Sequence, residues 1–217
     1  MLPDLPDRLA RYAERRGLPL PQPPYDAVAL GLREQDLLVL AGLPVPEELA
    51  PLDSRIGHVL SSLVQDFLEL PAAERSELLD RLRSLPQHER TTPPRRPYPD
   101  RFGPGGLLLG LLDNRNLRSA AAPILHLLDG PGLSGVTVHG FGNGRTGMTT
   151  EALNGLAVMV GLPRDDLAVL VGLPTPAEPA PPVPPAHADT AELLWVCRGL
   201  TYEQIDAEYQ RIRRPGA

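Results

Sequence analysis

The sequence contains no lysine: all 21 of its basic residues are arginine. It has one cysteine, Cys197, in 217 residues, which excludes an internal disulfide and any metal centre built on a cysteine cluster. Aromatic residues amount to 4%, so the core must be aliphatic, and leucine supplies most of it. No apolar run approaches the roughly 20 residues that a membrane-spanning helix needs. The opening MLPDLPDRLARYAERR places acids and prolines where a secretory signal needs a basic start and an apolar stretch. A cytoplasmic protein without membrane contact is expected. Strand-like alternation is nearly absent, Val136 to His139 being the one tempting place.

What is abundant is proline and glycine, 27 and 20 residues, and the prolines are clustered. Pro86 to Pro104 (PQHERTTPPRRPYPDRFGP) and Pro174 to Pro185 (PTPAEPAPPVPP) cannot be helical, because a residue preceding proline is pushed out of the helical region. They read as stiff, extended spacers. The expected organisation is an N-terminal helical domain at 1–87, a Pro/Arg linker at 88–104, a central domain at 105–173, a second linker at 174–186 and C-terminal helices at 187–217. The excess of Arg, Ala, Pro, Gly and Leu is the usage of a GC-rich genome, bacterial by expectation.

Each block reads as helical, and the fold class is all-α. Asp53 to Leu70 spaces Ile56, Val59, Leu60, Leu63, Val64, Phe67 and Leu68 as one apolar face of a helix. Pro71 opens a second helix, AAERSELLDRLRSL. AELLWVCRGL and TYEQIDAEYQRIR form a C-terminal pair, with Thr201 and Gln204 at the spacing of a capping box. An internal repeat joins the first and central blocks: Ala27–Pro51 and Ala157–Pro181 are identical at 15 of 25 positions without a gap. The first copy is expected to keep only the last two helices of the repeated unit, because LPLPQPP precedes it.

The most informative stretch is Gly132 to Leu167. Gly132 reads as a tight-turn residue free to take positive φ. Ser134 can cap the helix that follows. Val138 and Phe141 can face a core, leaving Thr137, His139 and Gly140 outward. Gly135, Gly140 and Gly142 each cost that helix about 1 kcal/mol relative to alanine. Thr149 or Thr150 caps the next helix, whose buried stripe is Leu153, Leu156, Ala157 and Val160 and whose stop is Gly161. Pro163 starts a last helix with Asp165 and Asp166 in its first turn, where the helix dipole favours acids.

In this register Gly132, Leu133, Ser134, Val138, Phe141, Gly144, Thr149, Leu153, Leu156, Ala157, Gly161 and Leu167 resemble the Cro/repressor-type (XRE-like) helix-turn-helix DNA-binding family. The resemblance covers about 70 residues, a third of the chain. It implies a lambda-repressor-like domain of about five helices, with Phe102–Leu112 and Ser119–Leu128 as the first two and the helix around 134–143 as the reading helix. It implies a sequence-specific transcriptional regulator, dimeric on double-stranded DNA, with no cofactor. In such docking the reading helix enters the major groove. Ser134, Thr137, His139 and Asn143 would then meet base edges, and Arg115, Arg118 and Arg145 would meet phosphates. The segment before Gly132 is about five residues longer than the family's usual pattern. The amphipathic helices at 53–84 and the Trp195 helix are the candidate dimer or effector surfaces.

Two other readings arise from the same residues. Gly142–Gly147 is a literal G-x-G-x-x-G, but a dinucleotide fold needs several buried strands and the chain offers one short candidate. Cys197 beside Trp195 reads as core, and the histidines at 58, 88, 126, 139 and 187 have no metal-ligand spacing. A helix-turn-helix that has become a protein-interaction module, with an unidentified protein partner, is the main rival to a DNA reader. The net charge of −6 argues against nucleic acid. Its distribution does not, since residues 88–148 hold seven Arg and four acids.

Overall fold

The computed structural model describes residues 2–90, 93–94 and 103–214. Among them there are eleven α-helices and no strand. The first block holds α1 (Leu5–Arg16), α2 (Glu34–Leu40), α3 (Gly57–Glu69) and α4 (Ala72–Ser84). The central block holds α5 (Gly103–Asp113), α6 (Ala121–Leu127), α7 (Gly135–Gly142), α8 (Thr150–Val160) and α9 (Arg164–Val171). The C-terminal block holds α10 (Pro185–Cys197) and α11 (Tyr202–Arg213).

Local chemistry sets the helix ends. Asp4 accepts a hydrogen bond from the Asp7 N–H at the start of α1, and Gly17 ends it in the left-handed region. Thr149 caps α8, and Gly161 ends it at φ 79°. At α11 the capping box is complete, the Thr201 hydroxyl and the Gln204 side chain each accepting the other residue's backbone N–H. The second proline-rich stretch is extended until Pro185 enters the first turn of α10. Most of the first linker, including Arg95, Arg96, Arg101 and Phe102, lies outside the described residues.

The three blocks share one aliphatic core. Helix α5 packs against α2, α7, α8 and α9, and α1 packs against α9. Helix α3 packs against α6 and also against α10 and α11. The apolar faces of α3, α4 and α10, expected as dimer or effector surfaces, are therefore covered within the chain. Three arginines, one from each block, close on Trp195: Arg33 at 3.9 Å, Arg198 at 4.4 Å and Arg115 at 5.1 Å from the ring centre. Burial pushes the Arg198 guanidinium down to about 10. Cys197 is fully buried, and burial pushes its thiol up to about 12, which is core chemistry and not that of a nucleophile.

The repeat is visible in the backbone. Gly31 and Gly42 take positive φ in the first copy, and their counterparts Gly161 and Gly172 do so in the second. The bonds Leu32 N–H to Ala27 O and Leu162 N–H to Ala157 O match, as do Leu43 N–H to Leu38 O and Leu173 N–H to Ala168 O. Arg8 joins the copies: one guanidinium nitrogen donates to the carbonyl of Leu170 at 2.5 Å and another to that of Leu40 at 2.7 Å. Leu40 and Leu170 are equivalent positions of the repeat. One expectation is corrected. The first copy keeps a single helix, α2, as the counterpart of α9, while the counterpart of α8 is reduced to a turn at 27–30. The prolines at 19–24 leave no room upstream for a helix to propagate through that turn.

Asp53 knots the first block to the last. Its carboxylate accepts from the Arg55 side chain at 2.6 Å and from the Tyr202 N–H at 3.0 Å. Burial alone would raise this carboxyl, but the hydrogen bonds from Arg55 and the backbone outweigh burial and hold it below its usual value of 3.8. The unfolded chain therefore takes up this proton first. The contribution of Asp53 is complete above the usual value and is lost as pH falls through the depressed one. Acid titration of stability should accordingly show a flatter limb below pH 3.8 for Asp53→Asn than for the parent; identical limbs would remove Asp53 from the acid response.

Candidate nucleic-acid interface

Helices α6 and α7 are joined by the turn Leu128–Leu133. The Ser134 hydroxyl accepts from the Thr137 N–H at 3.2 Å and so fixes where α7 begins. Val138 and Phe141 are buried, and α7 lies along α5. The opposite side exposes Ser134, Gly135 and, at 82%, Val136. Gly132 is exposed in the turn, and its φ is not positive; the left-handed residue of this turn is Asp129, at φ 58°. With Gly130 closely packed against Leu125, Asp129 already supplies the reversal.

The glycines of α7 have different reasons. A Cβ on Gly142 would stand 2.1 Å from Leu109 Cδ1, and one on Gly140 would stand 2.3 Å from Thr146 Oγ1. Gly140 is buried, against the expectation that it faces outward, because the Thr146 N–H folds back onto its carbonyl at 3.1 Å. Across the contact, a Cβ on Gly105 of α5 would meet the Phe141 carbonyl oxygen at 1.9 Å. The two helices thus touch backbone to backbone. Gly135 alone has open space around it. Gly135→Ala should stabilise the protein by about 0.5–1 kcal/mol, read as a higher urea midpoint at constant slope; a lower midpoint would refute this account of the glycines.

The expected site residues separate into groups. Ser134 is exposed and Thr137 half-buried, 3.0 Å apart between their hydroxyls. His139 is half-buried beside a space of about 10 Å³, the size of one water, that it shares with Asp113 and Arg118. Asn143 is exposed beyond the end of α7, and its side-chain oxygen accepts from the Arg145 N–H at 3.1 Å, closing an Asx-type turn. The Arg145 guanidinium is exposed and makes no ion pair among the described residues.

Arg115 does not belong to this surface. It is 1% exposed, and its two terminal nitrogens meet the two Asp36 oxygens at 2.9 and 2.7 Å. The same nitrogens also bond the carbonyls of Leu111 and Val160. Its role is to tie α2, α5 and α8 together, and a phosphate cannot reach it. Arg118 is 17% exposed and bonded to Asp113 at 2.7 Å, so its charge is already answered within the protein.

The glycine run Gly142–Gly147 follows a helix, and the residues before it, Val136 to Val138, lie in α7. With no strand among the described residues, the dinucleotide-fold context of that motif is missing. Comparison with protein-family models, with curated proteins and with solved structures finds no match.

Proposed function

We propose that this protein is a helix-turn-helix DNA-binding regulator whose reading surface is the exposed side of α7. The observation that carries the reading is the posture of α7. A short helix capped by Ser134 is held by Val138 and Phe141 against α5, and its N-terminal turn, Val136 and the 143–145 turn point to solvent. That is the disposition that lets a helix enter a major groove N-terminus first. Ser134 and Thr137 lie at the entering end and would meet base edges. Asn143 and His139 would stand further along the helix, and Arg145 would meet a phosphate.

Binding should be modest and only weakly dependent on salt, because the surface offers few cations. Fluorescence anisotropy on genomic fragments tests this. Arg145→Ala should weaken binding to about the same extent on every fragment and lower the salt slope by about 1. Thr137→Ala should change which fragments bind best. If the full chain retains no fragment at low salt, the reading is overturned. One observation favours a second reading, a protein-interaction module on the same scaffold. Val136, apolar and highly exposed, sits at the centre of a face with a single unpaired arginine. A partner protein captured by the parent and lost with Val136→Asp would favour that reading.

A further inference from the structure

We infer that the space between α8, the proline-rich strap 180–184 and the start of α10 is a binding site for an uncharged, mainly apolar small molecule. The cavity measures about 740 Å³, within the range of small-molecule sites. Small residues make its floor: Gly155 and Ala157 from α8, Ala188 and Ala191 from α10. The helices close on each other at Gly161, where an added Cβ would stand 3.4 Å from Ala191. Prolines 181, 182 and 184 form the roof. Their fixed backbone holds the strap extended, so it does not collapse onto the floor. At the mouth Val183 is 51% exposed, an apolar side chain left in water beside an apolar hollow.

The charges around the rim identify the ligand class. Arg15 bonds Asp165 at 3.3 Å, Arg33 bonds Glu192 at 3.1 Å and Arg164 bonds Asp165 at 2.8 Å. Each cation that lines the cavity is thus answered by a carboxylate of the protein. An anionic ligand would have to break one of these pairs, and a cationic one would find only Asp129 and Glu151, exposed carboxylates that water already solvates. An uncharged body asks for neither. His187, 3.8 Å from Asp129, and Asn154 remain as hydrogen-bonding groups that can orient it. This inference does not depend on the nucleic-acid reading.

The test uses the full chain and Nile red, an uncharged dye that brightens in apolar surroundings. The expected result is saturable binding of about one dye per chain, unchanged between about 50 and 500 mM salt. Ala188→Trp should fill the site from an exposed helix position and weaken binding at least about tenfold with an unchanged melting temperature. Val183→Asp, which places a charge at the mouth, should weaken it as well. Absence of saturable binding overturns the inference, as does binding that both variants leave intact. Anilinonaphthalene sulfonate binding at this site as tightly as Nile red, with strong salt dependence, would overturn the uncharged class.

Discussion

Arg115→Ala is expected to destabilise the protein by about 3–5 kcal/mol. The guanidinium is taken wholly out of water and meets the Asp36 carboxylate with two short hydrogen bonds. Removing it leaves Asp36, itself buried, with the Asn114 amide at 3.0 Å as its remaining side-chain hydrogen bond and with Arg33 and Arg198 attracting its charge without bonding it. The carbonyls of Leu111 and Val160 lose a donor in the same step. Most of the loss comes from orphaning these groups. The double replacement Arg115→Met with Asp36→Leu should therefore recover a large part of it, as a pair of apolar residues asks for no partner. Urea denaturation at constant slope measures both. A single-variant loss below about 1 kcal/mol would show that the pair contributes no more than a surface ion pair.

The repeat provides an internal control. Asp166 is the counterpart of Asp36 and is equally buried, but its partners Arg15 and Arg16 are 38% and 50% exposed. When Asp166 is replaced by alanine those arginines turn to water, so the loss should be smaller than for Asp36→Ala. Equal losses would mean that the setting of the partner does not matter here.

These residues show what the sequence reveals and what it conceals. Helix limits were legible because their causes are local: Ser134 to Thr137, Thr149 to Ala152, Thr201 to Gln204 and Gly161 all act within one turn. The apolar stripes of α3 and α8 were legible for the same reason. Arg115 was not, since its partner lies 79 residues away in a different block and no spacing rule links them. The basic excess at 88–148 misled in the same way. Arg90 is bonded to carbonyls of residues 47–52, Arg115 and Arg118 are paired, and Arg145 alone of the described arginines there stands unpaired at the surface. Charge along a sequence counts groups, whereas a phosphate responds only to those that the fold leaves uncommitted. Domain limits were also partly concealed. Proline-rich stretches mark where helices cannot form, but the helices on either side can still pack together, as α10 does on α3 and α4.

The glycine contact between α5 and α7 leads to the second large effect. Gly105→Ala should cost about 3 kcal/mol or more and should also displace the proposed reading helix. The added methyl would lie 1.9 Å from the Phe141 carbonyl oxygen and 3.2 Å from the Gly142 nitrogen. Both are backbone atoms, so no rotamer change relieves the clash and the helices must separate. Separation withdraws Phe141 and Val138 from the core that fixes α7. The expected result is a lower urea midpoint together with DNA binding weakened beyond what the unfolded fraction explains, measured where most of the protein is still folded. Gly135→Ala is the matched comparison on the partner helix. It adds the same methyl in open space, so it should raise the midpoint. If the two substitutions moved the midpoint in the same direction by similar amounts, helix propensity alone would account for both, and the backbone contact would have no part in holding α7 in place.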